Sequence, residues 1–453
     1  MPKPDASYFD GINEKLLLAI PSDAVNIIEF GCANGRLGAA FKSRHPAARW
    51  TGIDVNDDAI QVARQHLDAV FKIDLNGTHV PELRGDYDCI VFGDLLEHLA
   101  DPESFLDGLA SIGNPDTRLV CCIPNMCHAS VIERMLAGDM SYDENGLLDA
   151  THLRFLSPAS VFKMLLDSGW LPGIVDQYVV GHAKNYVDSL VQAGATLGIP
   201  TNTTLKHVLA YQLIIDCRKS RRAKAPPDPG VKLSVVVPVN NTQQFSLNVG
   251  RSPGLKEIDA QILPVQGAAN PAEALDFGGK HTDSEWLLFC HQDVYVPKGS
   301  GKLMQELLSS IPADKRRSTL IAFAGLLGGE AVNASTQRGL VIDRTSRFDH
   351  EAGLSPVSVD EFAIVVSRDS IHRIDGSIGW HAWATDLCLA SARRGDDAEI
   401  IVARVPMFHN SYNDSVLPAE FFSSIRRIFG KYPELSRIQT LNGDFLRESA
   451  AAP

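Results

Sequence analysis

Two glycines four residues apart in "IIEFGCANGRLGAAF", Gly31 and Gly35, lie between an apolar run and a segment of helical period. Glycines there let the backbone approach a ligand closely, and the following helix start offers amide donors to it. Asp54 closes the next apolar run, "WTGIDVN", about twenty residues on, where an acid can hydrogen-bond both hydroxyls of a ribose. Asp74 ends a third run, "FKIDLNG", at the sheet edge near which an adenine would lie. This spacing suits any ribose-bearing cofactor, NAD included. Much later, "FCHQDVYVP" sets Asp293 at the end of another apolar run. That acid either holds a metal ion or merely terminates a buried strand.

The elements that must position these residues read as two α/β halves. From residue 25 to about 217 the runs "VNIIEFG", "WTGIDV", "AVFKIDL", "YDCIVFGD", "TRLVCCIP", "GIVDQYVV" and "AYQLIIDC" alternate with helical segments. Such alternation predicts a doubly wound, mostly parallel Rossmann-like sheet, whose carboxyl edge is where ligands bind. The charges, prolines and glycine of "RKSRRAKAPPDPGVK" predict a linker over 218–230, separating a domain at 1–217 from one at 231–453. The second half supplies its own strands in "KLSVVVPV", "EWLLFCHQDVYV", "STLIAFAGLL", "EFAIVVSR" and "AEIIVARVPMF", and is no repeat of the first.

With "EFGCANG", "GIDVN", "YDCIVFGDLLEHLADPESFL" and "GLLDATHLRF" in hand, the first half resembles the class I S-adenosylmethionine-dependent methyltransferases over roughly 20–217. It is most similar to a subgroup associated with glycosyltransferases and surface-polysaccharide genes. The resemblance implies S-adenosyl-L-methionine as cofactor. Glu29 and Gly31 would flank its methionine end, with Cys32 and Gly35 in the same loop. Asp54 and Val55 would meet the ribose, Asp74 and Leu75 the adenine, and Asp94 the wall beside the sulfonium. Ala33 stands where many relatives carry glycine. Methyl transfer to oxygen needs a base near the acceptor hydroxyl, and Glu97, His98, His152 and Arg154 are the candidates. The histidines lead because imidazole titrates near neutral pH, although a histidine in an apolar pattern is more often a packing residue. Arg154 would otherwise clamp an anionic acceptor or brace the loop through Asp149. "DLLEHL" and "THLRF" speak against a nicotinamide enzyme.

"SVVVPVNN", "HQDVYVP", "GWHAWATDLCLASARRG" and "VPMFHNS" make the second half resemble family-2-like glycosyltransferases of the GT-A type, in the subgroup with "HQDV". That resemblance implies a nucleoside-diphosphate sugar lying against Pro238, Val239 and Asn240, and a manganese or magnesium ion held by Asp293 and His409. It also locates a gap. The carboxylate base of such enzymes falls at Ala384 in "WATDL"; Asp386 survives as a catalytic candidate at a position that is usually structural in the family, and His381, or Asp360 and Glu361, would be the substitutes.

Composition narrows the partners. A net charge of -13 with only the short "RKSRRAK" as a basic run argues against a nucleic-acid surface. Eight cysteines without paired CxxC spacing read as buried thiols in a reducing compartment. With no signal pattern at the start and no apolar run of membrane-spanning length, a cytoplasmic protein is expected, with peripheral docking on a membrane-bound assembly left open. Two functions fit. One is a bifunctional enzyme that methylates and glycosylates a glycan or lipid-linked glycan. The other is a methyltransferase whose second domain has lost turnover and only binds a glycan or nucleotide.

Overall fold

The computed structural model describes residues 11–76, 85–221, 223, 230–394, 399–411 and 417–450. Contacts divide the chain into two compact units, Met1–Arg221 and Arg222–Pro453. Most of the expected linker, residues 222 and 224–229, lies outside the described residues.

The first unit is a seven-stranded sheet. Its strands are β1 (Asn26–Phe30), β2 (Arg49–Asp54), β3 (Ala69–Lys72), β4 (Cys89–Gly93), β5 (Arg118–Pro124), β6 (Trp170–Val179) and β7 (Ala210–Lys219). They lie in the order β3-β2-β1-β4-β5-β7-β6, a mixed α/β sheet of Rossmann-like form. The first five strands pair in parallel, and the β7–β6 edge is antiparallel. Parallel strands covered on both faces need apolar residues throughout, and β4 and β5 are buried at nearly every position. Local signals set the helix starts. Asn56 caps Asp57–Ala63, Asp101 caps Pro102–Leu109, and Ser157 forms a capping box before Pro158–Asp167. The run "AVFKIDL" is shorter as a strand than its pattern predicts. It stops at Lys72, and Asp74 turns the chain by accepting the Asn76 N–H at 2.9 Å.

Among the described residues the second unit holds two large sheets and a two-stranded antiparallel sheet, Arg437–Thr440 with Gly443–Leu446. The strands of the large sheets are β8 (Leu233–Pro238), β9 (Gln261–Val265), β10 (Trp286–Cys290), β11 (Val294–Tyr295), β12 (Leu320–Ala322), β13 (Ala324–Leu326), β14 (Gln337–Asp343), β15 (Ser346–Asp349), β16 (Gly353–Leu354), β17 (Ser358–Val359), β18 (Ala363–Ser367), β19 (Ile400–Val402) and β20 (Phe408–His409). The larger sheet runs β16-β19-β12-β18-β10-β8-β9, and the smaller runs β11-β20-β14-β13-β17 with β15 on β14. Three stretches that read as single strands are divided between the sheets. "WLLFCHQDVY" breaks after Cys290, "LIAFAGL" breaks at Phe323, and "IIVARVPMFH" breaks between Val402 and Phe408. Phe323 is fully buried at its break, so hydrophobicity runs straight through and periodicity hides the switch. Asp293 sits in the first of these breaks, where a chain leaving one sheet need not bury its side chain in either.

Candidate functional site

In the first unit, three residues of the loop after β1 have positive φ: Gly31 (74°), Ala33 (46°) and Gly35 (72°). A Cβ on Gly35 would come within 3.1 Å of the Ala63 Cα, so the loop is tight as well as left-handed. Ala33 adopts the same region with a side chain, a strained choice. Its N–H donates to Asp54 Oδ2 at 2.8 Å, while the Val55 and Asn56 N–H groups donate to Oδ1 at 2.8 Å each. Asp54 is thereby fixed at the strand end by backbone donors from both loops, with one lone-pair direction on Oδ2 still open. Val55 beside it is exposed. Glu29, expected beside the methionine end, is instead spent inside the sheet. It is buried, accepts the Trp50 indole N–H at 2.8 Å, and burial lifts its carboxyl to about 8 against that bond. Burial likewise pushes the Cys32 thiol far up, so it packs as an uncharged group.

Asp94 ends β4 with φ 47°, a second left-handed non-glycine residue at the carboxyl edge. Such strain persists only where the surroundings hold it, and it concentrates at functional positions. Its Oδ1 accepts the Gln212 amide at 2.7 Å. Burial raises Asp94 to about 6, with Gln212 opposing. Gln212 lies on β7, too far along the chain for any local pattern to reveal its part.

One turn beyond, Glu97 is fully buried, and neither of its carboxylate oxygens has a hydrogen-bond partner. Burial first, then Asp94, pushes its carboxyl well above the usual range. The Glu97 carbonyl accepts the N–H groups of Leu153 (2.7 Å) and Arg154 (3.1 Å), which brings "THLRF" to the same edge. His98 and His152 then meet edge to face with ring centroids 4.9 Å apart. His98 Nδ1 lies 3.2 Å from the Thr151 carbonyl and His152 Nδ1 lies 3.0 Å from the Leu147 carbonyl. A carbonyl only accepts, so each Nδ1 carries the hydrogen and each Nε2 keeps its lone pair when neutral. Burial and then His152 hold the His98 imidazole below its ordinary value. One ligand atom from each of Glu97, His98 and His152 lies within 4.8 Å of the other two, a spacing that can grip a hydroxyl or a divalent ion.

Arg154 does not reach Asp149. It donates to the Ala100 carbonyl, and Asp149 instead holds the Thr151 N–H (2.7 Å) and hydroxyl (2.6 Å). Arg154 therefore braces the loop on backbone. Asp74 is exposed and Leu75 half-buried, and the neighbouring Asn76 accepts the Ala100 N–H at 2.7 Å. That bond ties the Asp74 turn to the His98 segment.

In the second unit, Pro238 ends β8, and the Val239 N–H donates to Val265. Gln292 Oε1 accepts the N–H groups of Asn240 (3.0 Å) and Asn241 (2.8 Å), so the glutamine of "HQDV" stitches the loop after β8 to the break after β10. Asp293 Oδ1 stands 3.5 Å from His409 Nε2, and His409 Nδ1 stands 3.1 Å from Asp343 Oδ1. Neither Asp293 Oδ1 nor His409 Nε2 makes a hydrogen bond, although both atoms are buried. Burial would lift Asp293, but His409 and His291 outweigh it and hold the carboxyl at about 2. Burial would lower His409, but Asp293 and Asp343 raise it to about 10. His291 completes a group whose ligand atoms lie within 4.8 Å of one another. The unpaired atoms and mixed N/O donors fit a divalent ion.

The base candidates fare differently. Ala384 is fully buried among core side chains, and so is no vacancy at a surface. Asp386, offered as catalytic, is buried and paired with Lys431 at 2.8 Å, which also holds Asp375. That carboxylate is structural. Glu361, which burial and Asp360 raise to about 8, accepts the Ala382 N–H at 2.9 Å, where Ala382 has φ 57°. His381 is half-buried, and both it and Asp360 act electrostatically on His291.

The family described as "Methyltransferase domain" matches residues 5–170. The N-terminal unit carries a class I S-adenosylmethionine-dependent methyltransferase domain. Among curated relatives of this domain, a ubiquinone biosynthesis O-methyltransferase of Nitrosospira multiformis is 24% identical over 194 residues, covering 41% of this chain and 75% of the relative. One from Marinobacter nauticus is 28% identical over 167 residues, covering 35% and 67%. Among solved structures, human N-acetylserotonin methyltransferase with S-adenosylmethionine is 14% identical, with a TM-score of 0.31, covering 48% of this chain and 54% of that one. A possible histamine N-methyltransferase of Thermotoga maritima is 13% identical, with a TM-score of 0.32, covering 46% and 86%. No described helix is long and apolar enough to cross a membrane.

Proposed function

We propose that the methyltransferase unit methylates a hydroxyl of a glycan or lipid-linked glycan, and that the second unit, GT-A-like, transfers sugar from a nucleoside-diphosphate donor in surface-polysaccharide assembly. Support for an oxygen acceptor comes from the relatives named as O-methyltransferases and from the Glu97, His98 and His152 cluster, the observation that carries the reading. S-adenosylmethionine supplies a methyl group on a positively charged sulfur. Asp54 and Val55 receive its ribose, the loop amides and Gly31 its methionine end, and Asp74 and Leu75 its adenine. Asp94 would form the wall beside the sulfonium. His98, kept neutral by burial and by His152, would take the acceptor proton on Nε2 as the oxygen bonds to the methyl carbon and the carbon–sulfur bond breaks, its electron pair leaving with sulfur as a neutral thioether. Glu97 and His152 orient the hydroxyl.

In the second unit, Pro238, Val239 and Asn240 would face the donor's nucleoside, while Asp293 and His409 would hold manganese or magnesium. A divalent ion there supplies positive charge to the leaving diphosphate. His381 is the remaining candidate base. A second reading, a binding module without turnover, is favoured by the burial of Ala384 and the engagement of Asp386 by Lys431.

The test uses the full chain with labelled methyl donor and a panel of glycan acceptors. His98→Gln is expected to lower kcat at least about 100-fold with cofactor affinity kept. Unchanged kcat rejects His98 as base. Sugar release or transfer from any donor in the presence of manganese supports the bifunctional reading, and donor binding without turnover supports the module.

A further inference from the structure

Resting on that metal reading, the second unit carries a residue that no sequence pattern singled out. β20 is only two residues long, yet it pairs with β11 on one side and β14 on the other, with His409 opposite both Val294 and Asp343. This register sets Asp343 against the imidazole's Nδ1 edge at 3.1 Å and Asp293 against its Nε2 edge at 3.5 Å. Phe362 stacks on the ring face, with centroids 5.3 Å apart and planes 30° from parallel. The ring is therefore fixed in position and in rotation. With a carboxylate beside Nδ1 and another beside Nε2, the ring rests as a cation, and a metal ion entering at Nε2 would displace that proton while Asp343 keeps Nδ1 as the hydrogen-bearing nitrogen. Asp293 Oδ1, Asp343 Oδ1 and His409 Nε2 are all buried without a hydrogen-bond partner.

We propose that Asp343 is a positioning residue that locks His409 for metal ligation, and that His291 joins Asp293 and His409 as a third ligand. Carboxylate–imidazole pairs of this form raise the basicity of the ligating nitrogen and fix its direction. Two imidazoles and one carboxylate suit manganese, zinc and related first-row ions, whereas magnesium favours oxygen donors alone. The site thus prefers manganese over magnesium even before a nucleotide arrives.

Manganese binding to the full chain, without nucleotide, is followed by the loss of the free-ion electron paramagnetic resonance signal. The wild type is expected to bind manganese and to hold magnesium far more weakly in competition. Asp343→Ala weakens manganese about 10- to 100-fold. Asp343→Asn, which keeps an acceptor oxygen for Nδ1–H, recovers most of that loss. His291→Ala weakens binding by a comparable factor and changes the bound-ion spectrum. Circular dichroism confirms that each variant is folded. Equal affinity in the wild type and folded Asp343→Ala overturns the positioning role and leaves the metal reading standing. An unchanged spectrum and affinity in His291→Ala removes the third ligand. Absence of manganese binding by the wild type overturns both this inference and the metal reading, and leaves His409 as a cation between two carboxylates.

Discussion

At the scale of single residues, Asp54 carries the most weight, because it accepts three backbone N–H groups from two loops. Hydrogen bonds to a charged group contribute about 1.5–3 kcal/mol each. Asp54→Ala is therefore expected to weaken S-adenosylmethionine at least about 10-fold, through lost ribose contacts and a loosened loop, as read by calorimetry. Ala33 works in the opposite sense. A left-handed alanine costs about 1–2 kcal/mol, and glycine's extra unfolded-state entropy returns about 0.4–1 kcal/mol of that. Ala33→Gly should raise stability by about 0.5–1 kcal/mol in urea melts, with cofactor affinity kept. Glu29 gives a pH dependence. Its ordinary value is 4.5 and the fold raises it to about 8, so it favours the folded state fully below 4.5 and loses that contribution as pH rises through about 8. Glu29→Gln, which still accepts the Trp50 N–H, should lose less stability between pH 6 and pH 9 than the wild type. Identical slopes would show that Glu29 ionises freely. Glycine spacing and strand-end position made the left-handed turns at Gly31 and Gly35 and the strand-end place of Asp54 legible from sequence. The bond from Trp50 to Glu29 was not legible, because a parallel pairing that no local pattern encodes brings the two together.

At the scale of elements, the alternation of runs and helical segments revealed the first sheet, since each βα unit is local and sequential in the chain. The second unit was read less well. Its divided strands pass from one sheet to another through buried residues, and the helix Trp383–Arg394 shows why a sequence alignment of roles can mislead. The position that would carry the base in the resembling family points into the core here, with Ala384 fully buried. Ala384→Asp is thus expected to cost at least about 3 kcal/mol by burying an uncompensated charge, lowering the melting temperature without a gain in sugar transfer. A folded Ala384→Asp variant with new transfer activity would show instead that this helix turns its face to the substrate. Gln212, Gln292 and Asp343 escaped the sequence reading for one shared reason. Each acts on a partner more than fifty residues away or on another sheet, and an isolated amide or acid has no signature of its own.

At the scale of the whole molecule, each unit has its own sheets and buried clusters. A fragment of residues 1–221 is expected to fold cooperatively and to bind S-adenosylmethionine with the affinity of the full chain, as calorimetry and thermal melts would show. A fragment that aggregates or binds about 10-fold more weakly would mean that the second unit completes the first. Within the first unit, the loop bearing His152 is held by two N–H groups that land on one carbonyl, that of Glu97. Main chain makes that mooring, and the Arg154 side chain reinforces it on the Ala100 carbonyl. A substitution that leaves the Leu153 and Arg154 backbone in place therefore keeps the loop docked beside His98 whatever side chain it brings.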